Sequence, residues 1–151
     1  MGHMLQPGHF LILLSVFGLL LLVPGIIYLI TLQKALDKCA PTTRTMQPGM
    51  VWLLLIPLFN VIWHFFVVLG IAKSLANEFA RRGMPSSEAE PGRSIGLAMC
   101  TLACCGLIPV LGVLASLAAF VLWIMYWVKV AGYSQALDQP QAAVAMPPMR
   151  P

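Results

Sequence analysis

Uncharged, mainly apolar residues fill three long blocks of the chain, 1–33, 45–72 and 94–128, which are 33, 28 and 35 residues long. A helix needs about 20 such residues to cross the hydrocarbon core of a bilayer. As one helix the third block would be about 52 Å long, so we expect it to fold back at Pro109 and Gly112. The pattern predicts an all-α membrane bundle of four hydrophobic segments, at about 9–32, 50–80, 94–108 and 111–133.

Segment two is interrupted by Pro57, which kinks a helix or ends it at the preceding residue. The segment either crosses as a Pro-kinked helix or is re-entrant, dipping into the bilayer and returning. An uncharged stretch of this length more usually crosses, so the crossing is favoured and the re-entrant path is kept as the alternative. Beyond Ala72, Leu75 and Phe79 continue an apolar stripe while Lys73 and Arg81 fall on the other side, which predicts an amphipathic end.

A weak internal repeat relates residues 55–62 to residues 107–114, since both contain an Ile-Pro pair in a similar apolar context. Each Ile-Pro pair follows a short apolar piece and precedes a long helical pattern. Membrane proteins often contain internal repeats, but matches this short also arise by chance. Duplication and chance both stay open.

The nine Lys and Arg residues give two conflicting orientations. If all four segments cross, six lie on the side of the N-terminus and three on the other, which favours an inside N-terminus. Segment one indicates an outside N-terminus, because no basic residue precedes it while Lys34, Lys38 and Arg44 follow it. A re-entrant segment two removes the conflict, because all nine basic residues then lie on one side.

Composition narrows the class of protein further. The chain is 60% hydrophobic and only 9% charged, whereas soluble domains carry about 25% charged residues. For the chain as a whole, a soluble enzyme, a disordered protein and a nucleic-acid module are excluded, and the net charge of +4 is typical of membrane proteins with basic cytoplasmic flanks. We expect a single helical membrane domain over 1–137 and a disordered, Pro-rich tail over 138–151.

Asn60 and His64 lie one helical turn apart in segment two, so they share a face. Polar groups at membrane depth often mark an ion path or a proton relay. They also serve as hydrogen-bonded packing pairs between helices. Since no charged residue lies within any of the three blocks, packing is favoured, and a small channel or transporter that uses this pair is the alternative.

The cysteines Cys100, Cys104 and Cys105 invite comparison with membrane thiol oxidoreductases, but such enzymes need a C-x-x-C pair. The spacings here are four and one, and Cys39 is remote. Small residues spaced by four let membrane helices approach closely. The pattern therefore favours a helix-packing face, made of Gly96, Cys100 and Cys104 on segment three and of Gly112 and Ser116 on segment four.

Signatures of catalysis and cofactor binding are absent from the sequence. It has no phosphate-binding loop, no Ser/His/Asp set and no paired carboxylates. The methionines of the tail, 146–149, faintly resemble a soft-metal motif, but no His or Cys accompanies them. We therefore expect no catalytic residues, no metal and no cofactor.

One stretch carries a resemblance to a known family. Residues 38–59 follow the pattern K-C-x-P-x-x-R-x-M-x-P-G-x-V-W-L-x-L-I-P-L-F, and residues 124–129 read I-M-Y-W-V-K. This resembles a family of small, uncharacterised bacterial multi-pass inner-membrane proteins, in which Asn often stands in place of Thr43. The resemblance implies a bacterial inner-membrane location and singles out six positions to test, namely Cys39, Arg44, Met46, Trp52, Pro57 and Glu78.

Within that pattern, Arg44 and Glu78 are expected to pair only if their two loops lie on the same side of the membrane. The leading functional hypothesis is a non-enzymatic membrane scaffold or partner-binding protein that uses the amphipathic end of segment two. A channel built on Asn60 and His64 comes second, and a membrane thiol-redox protein third. The expected partners are the lipid bilayer, a second copy of the chain and a protein, with no nucleic acid.

Overall fold

The computed structural model describes residues 7–106 and 112–139, and every element in these ranges is helical. The elements are α1 (Pro7–Asp37), a 3₁₀ helix (Pro48–Leu55), α2 (Pro57–Arg82), α3 (Arg93–Cys105) and α4 (Gly112–Ala136). The prediction of an all-α fold is confirmed for these residues. Two stretches, Phe59–Arg82 and Gly112–Ala136, are long and apolar enough to cross a membrane.

Helix α1 is 31 residues long and continuous through Pro24. It contains a long run of Leu, Ile and Val, and its last turn carries Lys34, whose charge suits the negative end of the helix dipole. The helix ends at Asp37, after which the Lys38 N–H still donates to the Lys34 carbonyl. The polar connection 38–47 follows.

Segment two doubles back on itself. The 3₁₀ helix ends at Leu55, and the extended backbone of Ile56 (φ −82°, ψ 110°) separates it from α2. The Ile56 N–H donates to the Leu53 carbonyl at 3.2 Å, and Pro57 has no N–H to satisfy, which suits it to the first position of a helix. The turn therefore forms without hydrogen bonds from outside the segment.

The two arms of this hairpin are antiparallel. Near its open end the Thr45 hydroxyl donates to the Gly70 carbonyl at 2.8 Å, and further in the Trp63 indole N–H donates to the Met50 carbonyl at 2.9 Å. The connections before and after segment two consequently lie at the same end of the bundle. This path differs from the simple crossing that the sequence analysis favoured and is the folding back that it kept as the alternative.

Helix α2 ends at Gly83, whose positive φ of 64° is the left-handed conformation that a glycine adopts without strain. The Gly83 N–H donates to the Ala80 carbonyl and the Met84 N–H to the Phe79 carbonyl, which satisfies two of the last four carbonyls of the helix. The chain then returns through the connection 83–92 to the start of α3.

Helices α3 and α4 form a second antiparallel hairpin. Gly96 near the start of α3 faces Tyr126 of α4, and Gly106 just beyond its end faces Ser116. The predicted turn at Pro109, and with it most of the second repeat segment, lies outside the described residues. Helix α4 runs parallel to α1, since the Trp127 indole donates to the Thr31 hydroxyl at 3.0 Å and Lys38 reaches the Ser134 carbonyl.

The buried core lies in the half of the bundle nearest the polar connections. Its fully buried members come from every helix and include Leu36, Val51, Ile71, Met99 and Tyr126. In contrast, many large apolar side chains point outward, among them Leu11, Ile12, Val16, Leu53, Ile62, Phe66, Val113, Leu114, Leu117 and Val128. An exposed apolar surface of this extent is characteristic of contact with lipid or with another protein.

Candidate functional site

Glu78 lies at the centre of the end of the bundle where α1, α2 and α4 terminate and where the connections 38–47 and 83–92 run, which we call the polar end. Its side chain is fully buried. Its Oε1 accepts from Arg81 Nη2 at 2.5 Å and from Arg82 Nε at 2.6 Å. Because a buried carboxylate is tolerated only when it is paired and hydrogen-bonded, these guanidinium groups are structural partners of Glu78.

The same carboxylate ties α2 to the connection after α1. Its Oε2 accepts from the Thr43 hydroxyl at 2.6 Å and from the Ala40 N–H at 3.0 Å. Arg82 extends the network to the backbone of two other segments. It donates to the Lys38 carbonyl, just after α1, at 3.0 Å and to the Leu137 carbonyl, just after α4, at 2.7 Å. We call Glu78, Thr43, Arg81 and Arg82 the Glu78 cluster.

Two further ion pairs join the polar end across long sequence separations. Lys38 Nζ lies 2.6 Å from Asp138 Oδ2 and 2.9 Å from the Ser134 carbonyl, which links α1 to the end of α4. Glu88 of the second connection pairs with Lys129 of α4 and also accepts from the Gly92 N–H at 2.8 Å. These donors lower the pKa of the Glu88 carboxyl below its ordinary value. The polar end is thereby cross-linked into one unit.

Arg44 does not pair with Glu78, although the sequence analysis considered that pair for loops on the same side. The loops do share an end, but Arg81 and Arg82 occupy Glu78 from the next turn of its own helix. No ion pair of Arg44 is found among the described residues. Instead, Arg44 lines a cavity of about 560 Å³ beside the connection 38–47.

Cys39 is buried immediately after α1, and its thiol donates to the Ala35 carbonyl at 3.3 Å. Burial, together with the nearby negative charge of Glu78, raises the pKa of this thiol to about 11. All four cysteines of the chain are free. Because thiol chemistry requires the thiolate, these features argue against Cys39 as a redox nucleophile.

Met46, just before the 3₁₀ helix, and Trp52, within it, pack this part of the chain against α2 and α1. A Cβ added to Gly70 would lie 2.5 Å from Met46 Sδ, so the absence of a side chain at Gly70 makes room for the thioether. The Trp52 indole donates to the Gln33 side-chain oxygen at 2.6 Å and thereby joins the 3₁₀ helix to α1. Pro57 begins α2, as described above.

Asn60 and His64 lie together, as their spacing predicted, and both line a cavity of about 210 Å³. The hydroxyl of Tyr28 on α1 forms a 3.0 Å hydrogen bond with His64 Nε2. His64 and Trp123 also line an adjoining cavity of about 480 Å³ between α1, α3 and α4. The partner of His64 was not evident from the sequence, since a tyrosine near a helix end is equally typical of a membrane interface.

Two glycines of the predicted helix-packing face lie where chain segments approach each other closely. A Cβ at Gly96 would meet Tyr126 Cε2 at 2.9 Å and Val68 Cγ2 at 3.0 Å, so this position contacts both α2 and α4. A Cβ at Gly112 would lie 2.6 Å from the Gly106 carbonyl oxygen. Cys100 is buried, whereas Cys104 is half-buried and Ser116 is exposed.

Sequence reasoning missed most of the Glu78 cluster. The spacing of Glu78 to Arg81 and Arg82, three and four residues along one helix, is the signal that could have predicted those pairs. Thr43 gave no comparable signal, because its contact depends on segment two doubling back. The tail methionines at 146–149, which faintly resemble a soft-metal motif, lie outside the described residues.

Comparison with known proteins gives no further information about function, since no family model, curated protein or solved structure matches the chain. Within the residues that the structure describes, no group of three or more His, Cys, Asp or Glu side chains lies together as a metal ion would need. The acidic side chains Glu78, Glu88 and Asp138 are each engaged by basic partners that hold helices together. The arrangement is that of a structural anchor joining several chain segments.

Proposed function

We propose that this chain is a non-enzymatic integral membrane protein of the bacterial inner membrane, whose polar end forms a cytoplasmic platform for a binding partner. The observation that carries the proposal is the Glu78 cluster, in which a buried carboxylate bonds α2 to the connection 38–47 and its partner Arg82 reaches the Leu137 carbonyl beyond α4. Such a network gives a fixed shape to an end that consists mainly of connections. A fixed polar surface on an apolar bundle is suited to scaffolding.

The distribution of basic residues supports a specific placement in the bilayer. Every basic residue in the described ranges lies at the polar end or in the last three turns of a helix that leads to it, namely Lys34, Lys38, Arg44, Lys73, Arg81, Arg82, Arg93 and Lys129. Basic residues collect on the cytoplasmic side. In this placement α1 crosses the bilayer, and the two hairpins enter from the cytoplasm.

The lengths of the hairpins agree with this placement. The uncharged parts of their long arms, 57–72 in α2 and 112–128 in α4, rise about 24 and 25 Å at 1.5 Å per residue. These uncharged parts are shorter than the hydrocarbon thickness of about 30 Å, although the stretches Phe59–Arg82 and Gly112–Ala136 as wholes are long enough to cross it. Helix α1, with 31 residues, is about 46 Å long and suffices for a full crossing.

Side-specific labelling of single cysteines tests the placement. In a background with the native cysteines replaced by Ala, we would place single cysteines at Thr42, Ser86 and Gln135, which are exposed at the polar end. All three are expected to react with a membrane-impermeant maleimide only from the cytoplasmic side. Cysteine at Gly8, at the opposite end of α1, provides the matched control and is expected to react only from outside.

Four full crossings would give a different pattern, in which the cysteine at position 42 labels from the side opposite to those at 86 and 135. That result would exclude the cytoplasmic platform. Labelling of all three from one side, with position 8 on the other, supports it.

A second candidate, a small channel or transporter, is favoured by one observation, the joint lining of a cavity by Asn60 and His64. The hydrogen bond between Tyr28 and His64 is equally suited to holding α1 against α2. Flux of protons and monovalent cations into proteoliposomes separates the two functions. We expect no flux above protein-free vesicles and no change in His64→Ala, whereas flux that His64→Ala abolishes while Asn77→Ala retains it would establish the channel.

A further inference from the structure

The connection between α1 and the 3₁₀ helix forms a cavity that the Glu78 cluster does not use. We propose that this cavity binds the phosphate headgroup of an anionic bilayer phospholipid, with Arg44 as its main ligand. The proposal rests on the cytoplasmic placement described above and adds a site to it.

The cavity has a volume of about 560 Å³ and is formed by residues 41–50. Arg44 is the only charged residue in its lining, and Gln47 adds a side-chain amide. A guanidinium group is suited to phosphate because its planar fork donates two parallel hydrogen bonds to two oxygens.

The positive charge of Arg44 is not balanced by the acidic residues of the polar end. Four of the five acidic residues of the chain already have basic partners, Glu78 with Arg81 and Arg82 and the other three with Lys38, Lys129 and Arg93. The fifth, Asp37, is exposed at the end of α1. Arg44 itself is half-buried and has no side-chain hydrogen bond to any described residue. An anion from outside the chain would supply the missing partner.

An apolar path leads from the cavity along the 3₁₀ helix, which distinguishes a lipid from a free phosphate compound. Met50 lines the cavity and is also exposed on the outer surface. Leu53 follows three residues later on the same face of the 3₁₀ helix, and Ile56 comes directly after the end of that helix; both are exposed. A phospholipid with its phosphate at Arg44 could lay its acyl chains along this stripe.

Native mass spectrometry of the full chain, released from mixed micelles of phosphatidylglycerol and phosphatidylcholine, measures this preference. We expect the wild type to retain phosphatidylglycerol preferentially. Arg44→Gln should reduce the ratio of retained phosphatidylglycerol to phosphatidylcholine about tenfold, the effect of losing one charge-assisted contact. Arg93→Gln is the matched control, since it removes an equal charge from the polar end at a site paired with Glu90, and the ratio should not change.

Met50→Glu provides a second variant that leaves Arg44 intact. It places a carboxylate at the exposed rim of the cavity, where it should repel an anionic headgroup and lower the ratio as Arg44→Gln does. An equal ratio in the wild type, Arg44→Gln and Met50→Glu would overturn the proposal. A fall of equal size in Arg93→Gln would also overturn it, because a general surface charge would then explain the preference.

Competition with glycerol 3-phosphate identifies the source of the phosphate. The soluble compound lacks acyl chains and should displace the lipid only at far higher concentration. Displacement at concentrations similar to those of the lipid would assign the cavity to a free phosphate compound and overturn the lipid proposal. The cysteine labelling described above is independent of this result, so a failed headgroup site and a failed cytoplasmic placement are distinguished.

Discussion

Replacing Glu78 by Ala is expected to lower the free energy of unfolding by about 3 kcal/mol, at the lower end of what breaking a buried ion pair costs. The lower end applies because Arg81 is 46% exposed and can regain water when its partner is lost. Arg82 is less exposed and would keep an unpaired charge near the core. Reversible unfolding in mixed micelles, followed by circular dichroism, measures the change.

Glu90→Ala is the matched control for this prediction. Glu90 pairs with Arg93 at 2.7 Å, but the Arg93 side chain is 51% exposed and that of Glu90 33%, and pairs near the surface contribute only about 0–1 kcal/mol. We expect its unfolding curve to lie close to that of the wild type. If Glu78→Ala and Glu90→Ala lose the same small amount, the Glu78 cluster does not anchor the polar end.

Gly96→Ala is expected to lower the free energy of unfolding by about 1–3 kcal/mol through overpacking. The added methyl group would meet Tyr126 and both methyl groups of Val68, at 2.9 Å from the ring and 3.0 Å from Val68 Cγ2. Val68 and Tyr126 are both fully buried, so neither side chain can make room by turning out into the surroundings of the bundle. The same unfolding assay measures the loss.

Gly132→Ala is the matched control for Gly96→Ala, because it makes the same substitution inside a helix at a position without close neighbours. Gly132 lies within α4, and a Cβ there meets no atom within 4 Å. Ala is favoured over Gly inside a helix by about 1 kcal/mol, so this variant should be as stable as the wild type or more so. A stabilised Gly96→Ala protein would show that α3 can move away from α2 and α4, contrary to the close contact described.

The positions of the helices were readable from the sequence, but their directions were not. Gaps between charged residues located α1, α2, α3 and α4, because long uncharged runs have few alternatives to a helix in an apolar setting. The path at Pro57 was ambiguous, since proline is compatible with both a kink and a new helix start. The distribution of the basic residues agrees with the doubled-back path, whereas the length of the segment favoured a simple crossing.

The candidate site was predictable only where it depends on local spacing. Asn60 and His64 share a cavity because they are one turn apart, and Glu78 could have been matched to Arg82 by the same rule. The contacts of Thr43, Lys38 and Tyr28 join segments 35, 96 and 36 residues apart. Such contacts follow from the packing of the hairpins, which apolar periodicity does not specify.

The hairpin arrangement has a consequence for how the chain enters a membrane. In the proposed placement, the connections 38–47 and 83–92 and the end of α4 all stay on the side where the chain is synthesised. Among the described residues, no basic or acidic side chain after α1 then has to pass through the hydrocarbon core, where such a residue at the helix centre costs about 2.5–3.5 kcal/mol. Each hairpin can enter as a unit with its turn leading, and its ion pairs can form on the side where the chain is synthesised.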